Sequence, residues 1–159
     1  MNTETLAHGW DWATIDAMKG TVVDVGGARG AVAVCLAKHY PNIKFIVQDF
    51  ADVVEGGAEN LPESMKGQIE FMAASCLEEQ PVKHKEVYFM RAVLHNWPDG
   101  YCVKILKNLL PGEYAPKHVY KGQERLKIKA LKKGSHILVN DIILWEPGSL
   151  PPYTEKLER

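Results

Sequence analysis

The chain has 159 residues, 46% of them hydrophobic and 25% charged, and a formal net charge of −1. This composition is typical of a folded globular domain and excludes an intrinsically disordered chain, and the length suits one domain of about 100–200 residues. Because the net charge is close to zero, no overall field favours nucleic acid or an anionic membrane surface.

The first elements along the chain are a helical segment, a strand and a helix. Residues 1–19 have a weak helical spacing. The β-branched run Thr21–Val25 predicts a buried strand, which the Gly26-Gly27 pair ends. Helix-forming residues predict a helix over Ala31–His39, which Pro41 stops.

Strands and helices continue to alternate downstream. Further strands are predicted at Lys44–Gln48, Ile69–Ala73, Val87–Met90 and His136–Asn140, the last with a continuation over Ile142–Leu144. Helices are predicted at Val53–Asn60, capped by Asp52, and after Pro98, where an apolar stripe has helical spacing (Cys102, Ile105, Leu106, Leu109 and Leu110). This alternation favours an open α/β layer with a parallel sheet and right-handed crossovers.

The predicted strand ends carry the candidate binding groups, which are Gly26–Gly30, Asp49, Ser75 and His95. In open α/β sheets, ligands bind beyond the carboxyl ends of the strands. A glycine-rich turn lets a ligand approach the backbone closely, although a tight strand-to-helix turn alone would need the same glycines. Asp49 follows Gly30 by nineteen positions, a spacing that suits a carboxylate for two ribose hydroxyls. Together the loop and the acid predict an adenosine-containing ligand.

Four segments in order have the character of known motifs: Val22–Gly30, Phe45–Asp49, Arg91–Asp99 and Asn140–Gly148. Together they resemble the motifs of plant and fungal S-adenosylmethionine-dependent small-molecule O-methyltransferases. The segment His8–Trp12 is similar to the helix that precedes the first strand of that family. The resemblance is stronger to the fungal members and extends over nearly the whole chain.

The resemblance implies an α/β fold, a Rossmann-like class I methyltransferase sheet that is mostly parallel. Residues 1–19 would form an N-terminal helical segment, 20–150 the cofactor-binding domain and 151–159 a C-terminal tail. We expect the chain to lack two parts of the family fold, the N-terminal helical dimerisation domain and the C-terminal antiparallel strand pair. The acid that orients the catalytic histidine is expected in that missing C-terminal part.

The resemblance also implies the cofactor, S-adenosylmethionine or S-adenosylhomocysteine, and the residues that bind it. These would be Asp24, Gly26, Gly27, Gly30, Asp49, Ser75 and Arg91. His95 would be the general base that deprotonates a phenolic hydroxyl, a role that suits a side chain titrating near neutral pH. A lone histidine after an apolar strand is more often structural, but the motif around His95 favours descent from a catalytic histidine. Ser75 stands where the family usually has an aspartate, and Ala92 where it has a large aromatic residue.

A basic segment interrupts the resemblance at residues 112–129. Residues 112–134, which include it, contain seven basic and two acidic side chains. Removing residues 112–129 would restore a helix and turn of normal family length, so a retained intron is one hypothesis for its origin. A local charged patch that contacts phosphate or an acidic partner and a solvated loop are both compatible with its composition.

Three functions remain open at this point. The first is methylation of a phenolic or polyketide-type small molecule. The second is a non-catalytic subunit that pairs with another chain, and the third is a non-methylating enzyme on the same scaffold. An exposed sheet edge would favour a homo- or hetero-oligomer. Three cysteines without a CxxC pair, no long apolar run and no leader pattern predict reduced thiols and a cytoplasmic protein. We expect no metal, nucleic-acid or membrane partner.

Overall fold

Strands and helices alternate in the computed structural model, which describes residues 4–110 and 131–141. The strands are β1 (Thr21–Val25), β2 (Lys44–Asp49), β3 (Ile69–Ala73), β4 (Val87–Arg91) and β5 (His136–Asn140). The α-helices are α1 (Trp12–Ala17), α2 (Ala31–His39), α3 (Ala51–Glu59) and α4 (Asp99–Leu109). Short 3₁₀ turns lie at Glu4–His8, Glu63–Met65 and Leu94–Asn96.

The five described strands form one sheet in the order β3-β2-β1-β4-β5. Every pairing is parallel, so the predicted open α/β sheet is confirmed and, within the described strands, it is entirely parallel. The strand order reverses beside β1, which pairs with β2 on one side and β4 on the other. The carboxyl ends of these three strands therefore meet at the switch point, where such folds bind ligands.

The sheet separates two hydrophobic cores, and β1 supplies side chains to both. Val22 packs into one core with Trp12 and Phe45, whereas Val23 packs into the other with Tyr88. This division follows from the strand geometry, because successive side chains point to opposite faces. Each fully buried aliphatic or aromatic side chain contributes about 1.5–3 kcal/mol of burial free energy, so the strand ends are held on a rigid base.

Helix α3 begins earlier than the sequence indicates. We expect it over residues 53–60 with Asp52 as the cap, but it spans Ala51–Glu59 and Phe50 is its N-cap, without a side-chain hydrogen bond. The Phe50 carbonyl accepts hydrogen bonds from Val53 and Val54, each at 3.0 Å, which starts the first turn directly after β2. Asp52 lies within the first turn, where a negative charge is favourable.

Three expectations fall outside the described residues. They concern the basic segment 112–129, the strand continuation 142–144 and the tail 151–159. Among the described residues, no helix is long and apolar enough to cross a bilayer.

Candidate active site

A cleft opens at the carboxyl ends of β1, β2 and β4. Its volume is about 280 Å³, close to the lower end of the range for small-molecule sites. The residues that line it come from every segment that follows these strands and from the end of β3: Gly26, Asp49, Phe50, Ala74, Cys76, Ala92, Val93, Asn96 and Trp97. The cleft thus lies where the sequence places the candidate binding groups.

Gly26 forms part of the cleft wall, and its position leaves no room for a larger residue. Its backbone φ is +73°, a left-handed conformation that favours glycine. A Cβ atom at this position would lie 2.8 Å from Cγ2 of Val93, which lines the cleft beside it. The Gly26 N–H donates to the Gln48 carbonyl at 2.8 Å, so the turn is fastened to β2.

Gly27 and Gly30 belong to the same turn but do not line the cleft. A Cβ atom on Gly27 would lie 2.6 Å from Cγ of Asp24. Gly30 is the N-cap of α2, and a Cβ atom there would lie 2.9 Å from Cζ of Phe71. Both glycines allow α2 and the turn to pack closely on the sheet.

Asp49 presents a fixed carboxylate to the cleft. One oxygen accepts the Phe50 N–H at 2.8 Å, and the other accepts the Ala28 N–H at 2.9 Å. Each oxygen thus accepts one backbone N–H and can accept another hydrogen bond, since a carboxylate offers about four lone-pair sites. The group is therefore held in one orientation and retains acceptor sites that a ligand could use.

Asp24 lies beneath the glycine turn and is 2% exposed. Within the described residues, neither of its carboxylate oxygens has a hydrogen-bond partner. Burial raises the pKa of Asp24 to about 7, the positive charge of Arg91 opposes this rise, and the negative charge of Asp49 adds to it. Asp24 and Arg91 thus share one electrostatic environment at the ends of adjacent strands, although neither lines the cleft.

Ser75 does not line the cleft, but its neighbours Ala74 and Cys76 do. Its hydroxyl oxygen accepts the Leu77 N–H at 3.2 Å and stabilises its own turn. Burial raises the pKa of the Cys76 thiol, which is therefore protonated at neutral pH. The end of β3 consequently offers the cleft a small apolar side chain and a thiol.

His95 lies in the 3₁₀ turn Leu94–Asn96, and its Nδ1 is 2.5 Å from Oδ1 of Asp141. The other oxygen of Asp141 accepts the backbone N–H groups of Leu94 and His95, at 2.9 and 3.3 Å. A carboxylate that can orient His95 is therefore present within the described residues, whereas the sequence led us to expect such an acid only beyond this chain. Asp141 follows β5 directly, and its position after a predicted strand was the signal that could have identified it.

The turn that carries His95 is also attached to α4. The Cys102 thiol lies within hydrogen-bonding distance of the carbonyls of Leu94 and Trp97, at 3.3 and 3.2 Å. The rings of Trp97 and Tyr101 pack 5.6 Å apart between their centroids. These contacts hold the His95 turn beside the cleft.

This arrangement can perform proton transfer. A carboxylate at Nδ1 favours the tautomer that carries the proton there, which leaves Nε2 to accept a proton from a bound hydroxyl. In residues 4–110 and 131–141, no three His, Cys, Asp or Glu side chains form a group that could hold a metal ion.

The chain is similar to fungal O-methyltransferases. A family model described as an O-methyltransferase domain matches residues 11–112. O-methyltransferase aoiF of Aspergillus oryzae is 36% identical over 163 aligned residues, which cover 99% of this chain and 34% of the relative. The chain thus spans about a third of the length of the curated relatives that it matches.

Solved structures share the fold. CalO1, a methyltransferase of calicheamicin biosynthesis in its SAH-bound form, has a TM-score of 0.69 and 25% identity; the match covers 97% of this chain and 39% of that one. A structure described as a pericyclic reaction enzyme has a TM-score of 0.65 and 26% identity, with 99% and 34% coverage. The fold of this chain is therefore that of class I methyltransferases.

Proposed function

The chain belongs to the O-methyltransferase domain family, and on that premise we propose that it binds S-adenosylmethionine and methylates a hydroxyl group of a phenolic or polyketide-type small molecule. The observation that carries the proposal is the contact between His95 and Asp141, because His95 lies in a turn whose neighbouring residues line the cleft with Gly26 and Asp49.

The residues of the cleft fit this cofactor. Asp49 is an oriented carboxylate with spare acceptor sites, which suits the two hydroxyls of a ribose. Gly26 leaves the wall open to a close approach, and the Asp24 carboxylate, which has no hydrogen-bond partner among the described residues, lies behind the same turn. Gly26 and Asp49 would hold the cofactor, with Asp24 and Arg91 shaping the electrostatics behind them. When bound, the cofactor supplies an electrophilic methyl group.

His95 would remove the proton from the acceptor hydroxyl. Its Nε2 accepts the proton, and Asp141 stabilises the imidazolium that results and keeps the ring in one orientation. A positioned general base contributes about 10²–10⁴-fold to such a reaction. The remaining acceleration would come from proximity and orientation, because the cleft would hold the acceptor oxygen in line with the methyl carbon and the sulfur. The walls of the cleft, including Trp97 and Phe50, would exclude water from the acceptor.

A non-methylating enzyme on the same scaffold is the second candidate. It is favoured by the likeness to the pericyclic reaction enzyme and by the Ser75 hydroxyl, whose oxygen accepts the backbone N–H of Leu77 and does not line the cleft. The two candidates differ in the mass of the product, because methylation adds one CH₂ to the acceptor and a rearrangement adds nothing. A non-catalytic subunit would bind the cofactor and yield neither product.

Calorimetric titration of the purified chain with S-adenosylhomocysteine tests the binding part of the proposal. We expect binding by the wild type and an affinity lower by about 10–100-fold in Asp49→Ala, since hydrogen bonds to a charged group contribute about 1.5–3 kcal/mol. Asp52→Ala is the matched control, because it removes an exposed carboxylate three residues away on α3. Wild-type protein that gives no heat of binding, or equal affinities in the two variants, would contradict the assignment.

A further inference from the structure

We propose that Gln48 and Gln80 form an amide clasp that positions one wall of the cleft, the segment Ala74–Gln80, against Asp49. The clasp rests on the proposed function, since the wall that it positions would contact the cofactor. Gln48 and Gln80 would thus be positioning residues, acting through the backbone that they hold.

The two amides bond to each other reciprocally. Gln48 Nε2 donates to Gln80 Oε1 at 2.8 Å, and Gln80 Nε2 donates to Gln48 Oε1 at 2.9 Å. Gln80 Oε1 also accepts the Val82 N–H at 3.0 Å. The residues are 2% and 4% exposed, so water does not compete for these bonds.

The clasp connects two parts of the cleft that are far apart in the chain. The Gln48 backbone carbonyl accepts the N–H groups of both Gly26 and Gly27, and Gln48 is followed by Asp49. Gln80 ends the segment that contributes Ala74 and Cys76 to the lining. Gln48 therefore holds the glycine turn with its backbone and the opposite wall with its side chain.

A pair of hydrogen-bonded amides restricts the relative position of two chain segments more than apolar contact does. Two apolar side chains can slide or repack at small cost, whereas a displaced amide pair would leave buried donors and acceptors unsatisfied. Every side-chain nitrogen and oxygen of Gln48 and Gln80 has a partner here, so the network is complete in this one arrangement. Asn108 adds a second attachment of the same wall, donating from Nδ2 to the Cys76 carbonyl at 3.0 Å.

The alkylation rate of Cys76 reports the position of this wall without any cofactor. Iodoacetamide labelling followed by peptide mass spectrometry separates Cys76 from the buried Cys35 and from Cys102. We expect Gln80→Leu to raise the Cys76 rate about tenfold, in line with loss of a buried amide pair. Gln68→Leu is the matched control. Gln68 lies just before β3, at the amino ends of the strands and away from the cleft, and its Nε2 donates to the carbonyls of Tyr40 and Ile43. Equal Cys76 rates in the two variants, both folded by circular dichroism, would overturn the clasp.

Gln80→Glu provides a second variant with a readout that a simple packing role would not change. A protonated glutamic acid can donate to Gln48 Oε1 and accept from Gln48 Nε2, whereas a glutamate can only accept. We therefore expect the affinity for S-adenosylhomocysteine to match the wild type at low pH and to fall about tenfold below it as the pH rises. Expressing each affinity as a ratio to the wild type at the same pH removes the titration of the groups common to both proteins, among them Asp24, Asp49, Cys76, Glu79, Lys83 and Tyr88.

A ratio that is constant with pH would overturn the clasp, as would an equal loss of affinity in Gln68→Leu. A wild-type chain that does not bind S-adenosylhomocysteine would instead contradict the proposed function. In that case the Cys76 alkylation rates still decide whether the clasp exists.

Discussion

Asp141 is the residue on which the proposed chemistry of His95 depends. Asp141→Asn keeps the shape of the side chain but removes the negative charge that faces Nδ1. We expect kcat for methyl transfer to fall by about 10²–10⁴-fold, with little change in the KM for the cofactor. Steady-state kinetics measures both constants. Asp99→Asn, an exposed acid at the start of α4, is the control; equal kcat values in the two variants would show that Asp141 does not act on the reaction.

Asp24 makes the stability of the fold depend on pH in an unusual direction. Its pKa is about 7 in the folded state, against 3.8 for the ordinary side chain, because burial disfavours the charged form. A raised carboxyl pKa contributes stability that is complete below pH 3.8 and is lost as the pH rises to about 7. At about 1.4 kcal/mol per pKa unit, the loss is on the order of 4 kcal/mol at most.

Asp24→Asn removes this titration. We expect the free energy of unfolding of the wild type to fall between pH 5 and pH 8 relative to that of the variant. Urea denaturation of both proteins at the two pH values measures the difference. A gap between the two proteins that is independent of pH would mean that Asp24 titrates alike in the folded and unfolded chains.

The site residues differ in how far the sequence could predict them. Gly26 and Asp49 follow from local signals, because a glycine pair after a strand and an acid at a fixed spacing need no knowledge of distant contacts. The partnership of His95 with Asp141 joins residues 46 positions apart, and that of Gln48 with Gln80 joins residues 32 apart. Such pairs depend on which strands become neighbours, so a local pattern can mark Asp141 as a residue at a strand end but does not indicate its partner.

The turn between β1 and α2 has no room for a side chain at its glycines. A Cβ atom on Gly27 would lie 2.6 Å from Cγ of Asp24 and 2.9 Å from Cγ1 of Val47, and both are held by the sheet. We expect Gly27→Ala to lower the free energy of unfolding by about 1–3 kcal/mol through overpacking, and to weaken cofactor binding. Gly100→Ala is the matched control within α4, because nothing lies within 4 Å of that position.

Urea denaturation separates the two glycine variants. Gly100→Ala should leave the stability unchanged or raise it by up to about 1 kcal/mol, since alanine is the better helix former. Equal destabilisation in both variants would show that the close contacts at Gly27 are not the cause of the loss. A Gly27→Ala protein as stable as the wild type would also contradict the packing described for this turn.

The strands were predicted more accurately than the helix boundaries. The β-branched and apolar runs of β1 and β4 are buried on both faces, so their sequence signal is continuous. Helix α3 starts two residues before its predicted first residue. Its first turn is determined by the Phe50 carbonyl, which accepts backbone hydrogen bonds, and not by the Asp52 side chain acting as a cap. Boundaries of this kind depend on the preceding strand and are weakly marked in the sequence.

At the level of the molecule, the alternation of strands and helices was enough to predict a parallel sheet and a site at its carboxyl edge. It did not indicate which strand lies beside which. The pairing of β4 with β5, which places Asp141 next to His95, therefore could not be predicted. Val139 on β5 is 47% exposed within the described residues. The homo- or hetero-oligomer expected from the sequence stays a prediction, which light scattering of the purified chain measures.

The transfer of a labelled methyl group from S-adenosylmethionine to a panel of phenolic acceptors tests whether His95 acts as the general base. The wild type, His95→Asn and the control His84→Asn, a substitution at an exposed histidine in a loop, are compared for both product formation and cofactor affinity. We expect His95→Asn to form product at least about 100-fold more slowly with unchanged cofactor affinity, while His84→Asn matches the wild type. Methyl transfer by His95→Asn at the wild-type rate would show that His95 is not the base.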